Sequence, residues 1–248
     1  MKRYLYNYQV IITFGAPVTN HSVLLRCMPM NAGYQTVEEE HLIFSPDFWT
    51  MRGNDAFGNR VIYGGQREAH ASYAYVSAGI VAMEPYAVKE PLRPSPVYLL
   101  PTPLTTLPSG ERLCVSSDAM EICAKVYDML EYSPCVTTVD TPVTDVLRTG
   151  KGVCQDYAHL MIAMLRQSGV AARYVCGLLE GTGATHAWVE VYDGYGWQGY
   201  DPTNNTRITY GYIKLAHGRD AADCSVSRGL YSGATTQEQL VSVTVKEI

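Results

Sequence analysis

Charge is scarce in this sequence. Lys, Arg, Asp and Glu together make up 17% of the 248 residues, against roughly 25% in an average globular chain. Basic clusters are missing as well: the longest basic run is Lys2-Arg3, and acidic residues outnumber basic ones by 24 to 19. Nucleic-acid binding rests on concentrated positive charge, so that class is set aside. No apolar stretch approaches the ~18 residues of a membrane span, and no membrane partner is expected. The N-terminus lacks the apolar core and small-residue cleavage site of a signal peptide, so Met1 to Phe14 reads as a strand. With 47% of residues apolar, the low charge does not signal disorder. Phe and Trp are also few, at 4 and 3; the 19 tyrosines supply most of the aromatic content.

Cysteine pairs of the kind that hold zinc are absent. The seven cysteines stand at 27, 114, 123, 135, 154, 176 and 224, with no C-x-x-C among them, and no acidic run supplies calcium ligands. No metal and no cofactor is implied. An odd count cannot form a complete set of internal disulfides, so free thiols in a reducing compartment are the simpler account and a cytoplasmic location is expected. Cys27, Cys114, Cys123, Cys135, Cys176 and Cys224 are read as small buried packing residues. Cys154 is set apart by its surroundings.

The pattern divides the chain in three. Residues 1–84 carry short alternating runs, beginning with Tyr4, Tyr6 and Tyr8, separated by turn signals at Gly15-Ala16-Pro17, Asn31-Ala32-Gly33, Gly53-Asn54-Asp55 and Gly58-Asn59. This predicts an all-β, sandwich-like domain. Glu38-Glu39-Glu40 reads as a solvated turn. Residues 85–108 hold seven of the thirteen prolines and form a linker or extended arm. Residues 109–248 switch period. Met120, Cys123, Ala124, Tyr127 and Leu130 keep helical spacing behind Asp118, and the helix should end near Ser133-Pro134. A short helix opens at Thr141-Pro142 and closes at Gly150. A third runs from Cys154 to Ser168, and strands follow at 172–179, 185–192, 197–201, 210–215 and 241–245.

Cys154 begins the third helix directly after Gly150-Lys151-Gly152-Val153. Glycines there let the backbone turn sharply, and a helix start favours a thiolate and offers the Cys154 N–H as an oxyanion donor. On position alone, a buried structural cysteine at a helix start is the more ordinary reading. His186 and Asp201 alter the balance. In Thr185 to Tyr192, alternation puts Ala187, Val189 and Val191 on the core face and His186, Trp188, Glu190 and Tyr192 on the other. Asp193-Gly194-Tyr195-Gly196 supplies a hairpin turn. If Tyr192 pairs with Trp197, Asp201 lies opposite Trp188 and diagonal to His186, within reach of its side chain. A slip of one residue would move Asp201 to the other face. A nucleophile, a base and an acceptor that orients the base are then all present.

The segments Gly152-Val153-Cys154-Gln155-Asp156-Tyr157-Ala158-His159-Leu160, His186-Ala187-Trp188-Val189-Glu190-Val191, Gly196-Trp197 and Asp201-Pro202-Thr203-Asn204 resemble the core of the bacterial transglutaminase-like superfamily. The tail from His217 to Asp223 is similar to the end of that core, and Asp55 to Asn59 resembles the β-rich N-terminal region that accompanies it. The resemblance implies an α+β, papain-like core behind the sandwich-like domain, with Cys154 as nucleophile, His186 as general base and then acid, and Asp201 fixing the His tautomer. It implies acyl transfer through a thioester on a peptide or protein amide substrate, hydrolysis being the first expectation. Amine-dependent cross-linking is the alternative, and a non-catalytic binding module that keeps the fold is a third reading.

Three residues are candidates for substrate contact: Gln155 as a second oxyanion donor, although solvent is its more ordinary direction at a helix start, and Trp188 and Tyr200 as cleft walls, although aromatics more often pack in cores. Arg173 and Asp223 are read as an ion pair or as rim residues, Asp156 as a helix cap or a substrate contact, and the loop Glu180 to Ala184 as mobile. Oligomeric state is left open.

Overall fold

The computed structural model describes residues 1–90, 93–110, 112–113 and 116–248. Cys114 lies outside the described residues.

The tyrosine alternation builds the first strand. In β1 (Lys2–Leu25), Tyr4, Tyr6, Tyr8, Val10, Ile12 and Phe14 are buried, while the residues between them face outwards or the sheet edge. The strand is long enough to serve two halves of one sheet system. Its first half pairs with β5 (His70–Met83), which in turn pairs with β2 (Gln35–Ser45). Its second half, from His21, pairs with β4 (Arg60–Gln66), whose other edge carries β3 (Trp49–Asn54). The register shifts between Thr13 and Val18, around Gly15-Ala16-Pro17, where the strand changes halves. Glu38, Glu39 and Glu40 lie within β2 rather than in a turn, and Arg60 grips Glu40 with hydrogen bonds of 2.6 and 2.8 Å.

The proline-rich stretch crosses to the second half of the molecule. There β6 (Val88–Lys89) joins the edge of the C-terminal sheet, and the carbonyl of Tyr98 accepts from the buried Arg166 guanidinium at 3.0 Å. Helix α1 (Ala119–Met129) is capped by Asp118, which accepts from the Met120 and Glu121 amides. It stops short of the expected Ser133-Pro134, because β7 (Glu131–Tyr132) pairs in parallel with β8 (Lys151–Gly152) and pulls the chain out straight. Between those two strands lies α2 (Val143–Thr149), ended by Gly150 in the left-handed conformation.

Helix α3 (Cys154–Gln167) is buried along almost its whole length, as expected of a helix apolar on most faces. It packs on an antiparallel sheet of β9 (Ala172–Leu179), β11 (His186–Tyr192), β12 (Gly196–Asp201), β13 (Thr206–Arg207) and β14 (Tyr212–Gly218), in the order β13-β12-β11-β9-β14. Ala187, Val189 and Val191 join the cluster around α3, whereas Trp188 joins the N-terminal tyrosine cluster. The sheet is therefore covered on both faces, and the face expected to line a cleft is in large part core.

The stretch expected to be a mobile loop is not one. It forms β10 (Gly181–Gly183), which pairs with β16 (Gln237–Glu247). Strand β16 pairs in turn with the first half of β1, and β15 (Ser227–Ser232) with its second half, so both ends of the chain meet in the N-terminal sheet. Strands hold 49% of the described residues and helices 14%; the fold is mostly β. Among the described residues no helix is long and apolar enough to cross a membrane.

Candidate active site

Two elements bring the sequence-derived residues together. The first is the start of α3. Gly150 ends α2 at φ 67° and its amide bonds the Val146 carbonyl. Two residues later Gly152 lies so close to α3 that a Cβ there would stand 2.6 Å from the Asp156 Cβ. Asp156, fully buried, accepts the Val153 amide at 2.8 Å and the Thr137 hydroxyl at 2.7 Å. It is a helix cap, and burial raises its pKa against those two hydrogen bonds. The cap fixes the turn that carries Cys154. As the first residue of the helix, Cys154 has a backbone N–H with no acceptor inside it. Its side chain is half-buried and free of any disulfide.

The second element is the β11–β12 hairpin. Its pairs are Tyr192 with Trp197, Val191 with Gln198, Glu190 with Gly199 and Val189 with Tyr200, the register read from the sequence. His186 Nε2 meets Asp201 Oδ2 at 2.8 Å. Nε2 is thereby engaged by Asp201, and the Cys154 side chain is among the groups that act on the imidazole. Burial alone lowers the His186 pKa, but hydrogen bonds with Asp201 and Cys154, and the charges of both, outweigh it and raise it to about 10.

Asp201 is wholly buried. Burial of a carboxylate raises its pKa, yet here the partners win: His186 first, then Asn204 and Tyr212, hold it below the ordinary value. Oδ2 also accepts the Asn204 amide nitrogen at 2.6 Å and the Tyr212 hydroxyl at 2.8 Å, while Oδ1 takes the Thr203 and Asn204 backbone amides at 2.9 and 3.2 Å. Asn204 and Tyr212 were not singled out in the sequence. The Asp-Pro-Thr-Asn run contains the signal for Asn204, since Asp side chains commonly accept the amides two and three residues on. Tyr212 arrives from another strand and has no local signal.

The weaker candidates fall elsewhere. Gln155 points its amide nitrogen at the Thr138 and Val139 carbonyls, 3.4 and 3.2 Å away, rather than at solvent. Trp188 is buried in the core, donating to the Tyr86 hydroxyl at 2.8 Å. Tyr200 is half-buried against the α3 cluster. Neither aromatic lines the cleft beside His186, a space of about 540 Å³ walled by Tyr127, Leu130, Tyr132, Tyr157, Leu179 and Asn204. Arg173 pairs with Glu190, and Asp223 pairs with Arg219 at 2.8 Å, so these two do not pair with each other. Cys135 is exposed at a left-handed turn and is not a packing residue, whereas Cys27, Cys123, Cys176 and Cys224 are buried.

The sequence agrees with known families over most of its length. Residues 109–202 match the model of the transglutaminase-like superfamily core, and residues 4–82 match the bacterial transglutaminase-like N-terminal region. An uncharacterised protein of Mycobacterium leprae is 40% identical over 127 residues, covering 46% of this chain and 45% of that protein. Another, from Mycobacterium tuberculosis, is 37% identical over 142 residues, covering 50% of this chain and 45% of its own. The chain thus spans about half the length of these curated relatives. Among solved structures, a candidate cysteine protease from Cytophaga hutchinsonii superposes with a TM-score of 0.77 at 22% identity, covering 98% of this chain and 90% of that one. At that identity the likeness is one of fold.

Proposed function

Since the chain belongs to the transglutaminase-like superfamily, we propose that it is a cysteine-dependent acyl-transfer enzyme, and that Cys154, His186 and Asp201 act as a triad hydrolysing peptide-like amides. On this reading the C-terminal part is a papain-like α+β core, with α3 supplying the nucleophile and the β11–β12 hairpin supplying base and acceptor. The observation that carries the proposal is the His186 imidazole, held by Asp201 through Nε2 at 2.8 Å, with the Cys154 side chain among the groups that raise its pKa.

The chemistry follows from that arrangement. An imidazolium beside a thiol favours the thiolate, the nucleophilic form. The sulfur attacks the amide carbon, and the Cys154 N–H at the helix start donates to the developing oxyanion. The His186 imidazolium gives its proton to the leaving amine as the C–N bond breaks, leaving a thioester. The neutral imidazole then takes a proton from water, whose oxygen attacks the thioester, and the free acid leaves as the sulfur recovers its proton partner. Asp201 stays ionised throughout and keeps the ring turned with Nδ1 towards sulfur. A peptide or protein substrate would lie in the tyrosine-walled space beside His186.

Mass spectrometry of mixed peptides incubated with the wild-type protein and with Cys154→Ala tests the reading. Free acids and new amines formed only by the wild type support it; identical products from both proteins would overturn it. Repeating the incubation with an added primary amine separates water from amine as the acceptor, because an amide adduct accumulates in place of the acid if transamidation is the reaction.

A further inference from the structure

A second cavity lies away from Cys154, between the N-terminal sheet and the C-terminal core. Its volume is about 560 Å³, and Phe57, Val97, Tyr98, Arg173, Lys214 and His217 are among the residues that line it. None of its lining residues lines the space beside His186.

Its floor is short of negative charge. Arg173 and Lys214, 5% and 1% exposed, both bind the same carboxylate, that of the fully buried Glu190. Arg173 Nε reaches it at 2.5 Å, and Lys214 Nζ reaches its two oxygens at 2.9 and 2.7 Å. The Tyr86 hydroxyl donates to Glu190 as well, at 2.8 Å, and adds no charge. The remaining carboxylate, Glu90, also lines the cavity; it is 42% exposed, forms a long ion pair of 3.9 Å with Arg173 Nη1, and its Oε2 accepts the Trp197 indole N–H. Water screens an exposed carboxylate of that kind. The buried set therefore carries two cations for one anion. Burial and the neighbouring Arg173 push Lys214 down to about 8, as expected of an ammonium with too few negative partners. Burial likewise lowers His217 to about 2, leaving a neutral ring whose Nδ1 has no hydrogen-bond partner.

The guanidinium is also fixed in place. Arg173 lies 4.1 Å over the Trp197 ring and 5.9 Å from that of Tyr98, so its planar fork is held before any ligand arrives. We propose that this cavity binds a small organic monoanion, a carboxylate on an apolar body, with the carboxylate on Arg173 and Lys214 and the body against Phe57, Val97 and Tyr98. A carboxylate matches the excess of one positive charge in the buried trio Arg173, Lys214 and Glu190, with solvent-exposed Glu90 turned to the Trp197 indole, and the apolar walls select an organic body over an inorganic ion.

Isothermal titration of the Cys154→Ala protein with 3-phenylpropionate tests this independently of the proposed enzyme activity. The expected result is one site, with the neutral isostere 3-phenylpropionamide bound about tenfold more weakly or worse, and inorganic phosphate at matched ionic strength weaker than the carboxylate. Ala56→Trp, which fills the cavity from an exposed turn position, should abolish binding without lowering the melting temperature. Arg173→Met should weaken it by a similar factor, and Ala56→Trp keeps the test decisive if that variant does not fold. No heat with the carboxylate, equal binding of the amide, preference for phosphate, or undiminished binding by Ala56→Trp would each overturn the proposal.

Discussion

His186 and Tyr212 donate to the same oxygen: Oδ2 of Asp201 takes the imidazole Nε2 and the phenol hydroxyl, each at 2.8 Å. The phenol helps to keep ionised the carboxylate that keeps the imidazole protonated. Tyr212 is thus a positioning residue, acting on sulfur chemistry only through Asp201 and His186. Tyr212→Phe removes one hydrogen bond to a charged group, worth about 1.5–3 kcal/mol, while the ring stays against Trp188, 5.4 Å away. Turnover should fall about tenfold, and the pH profile of Cys154 alkylation by iodoacetamide should move to match a less basic His186. An unchanged profile together with wild-type turnover would leave the tyrosine a packing residue only.

The pH dependence of stability carries the same relationship. The folded-state pKa of His186 is raised to about 10 from 6.5. A raised value means that the folded protein holds its proton more tightly than the unfolded chain. The pairing therefore contributes its full stability below about pH 6.5 and loses it as pH rises through about 10. Asp201, held below its ordinary value, stays ionised across that window and adds no slope there. Urea unfolding of the wild type and of Asp201→Asn should show the wild type more stable near neutrality, with the gap narrowing as the medium becomes alkaline. A gap that stays constant or widens would count against the ion pair.

What could be read from the sequence was what depends on short spacing. The α3 start, its Gly-flanked entry and the β11–β12 register follow from a helical period, a turn and strand alternation, and each is fixed within some twenty residues. The same alternation sorted Trp188 correctly to the face opposite Val189, but could not say what covers that face. The N-terminal tyrosines cover it, and they come from the other end of the chain. Tyr212 and the Lys214–Glu190–Arg173 cluster were hidden for the same reason: their partners sit on different strands, and sequence spacing carries no sign of them. The pairing of β16 with β1 joins residues more than two hundred positions apart. The exposed Cys135 is a local failure, since its left-handed turn conformation is uncommon for a non-glycine residue.

Glu190 should prove the most sensitive buried charge outside the triad. Glu190→Gln leaves Arg173 and Lys214, both nearly inaccessible, without their shared anion. Removing one partner from a buried ion pair costs about 3–5 kcal/mol, and here one carboxylate serves two cations. Glu90→Gln removes a half-exposed carboxylate from the same neighbourhood and should cost about 1 kcal/mol or less. Denaturant titrations of the two variants compare them directly. Equal losses would mean that the cluster is solvated in solution and not the buried set described.

The two glycines before Cys154 act through different physics, and substitution separates them. Gly150 sits at φ 67° with nothing within 4 Å of an added Cβ. Gly150→Ala should cost about 1 kcal/mol, the penalty of a left-handed conformation, and leave Cys154 alkylation unchanged. Gly152→Ala meets the Asp156 side chain, with Cβ at 2.6 Å and Oδ2 at 2.8 Å. To make room, Asp156 must release the Val153 amide or the Thr137 hydroxyl, which uncaps the turn holding the nucleophile. Overpacking and a lost cap together predict about 2–3 kcal/mol and a slower, less pH-selective reaction of Cys154 with iodoacetamide. Alkylation kinetics alongside thermal melts of both variants would test the distinction. If Gly152→Ala melts lower but alkylates like wild type, the cap stabilises the helix without positioning the thiol.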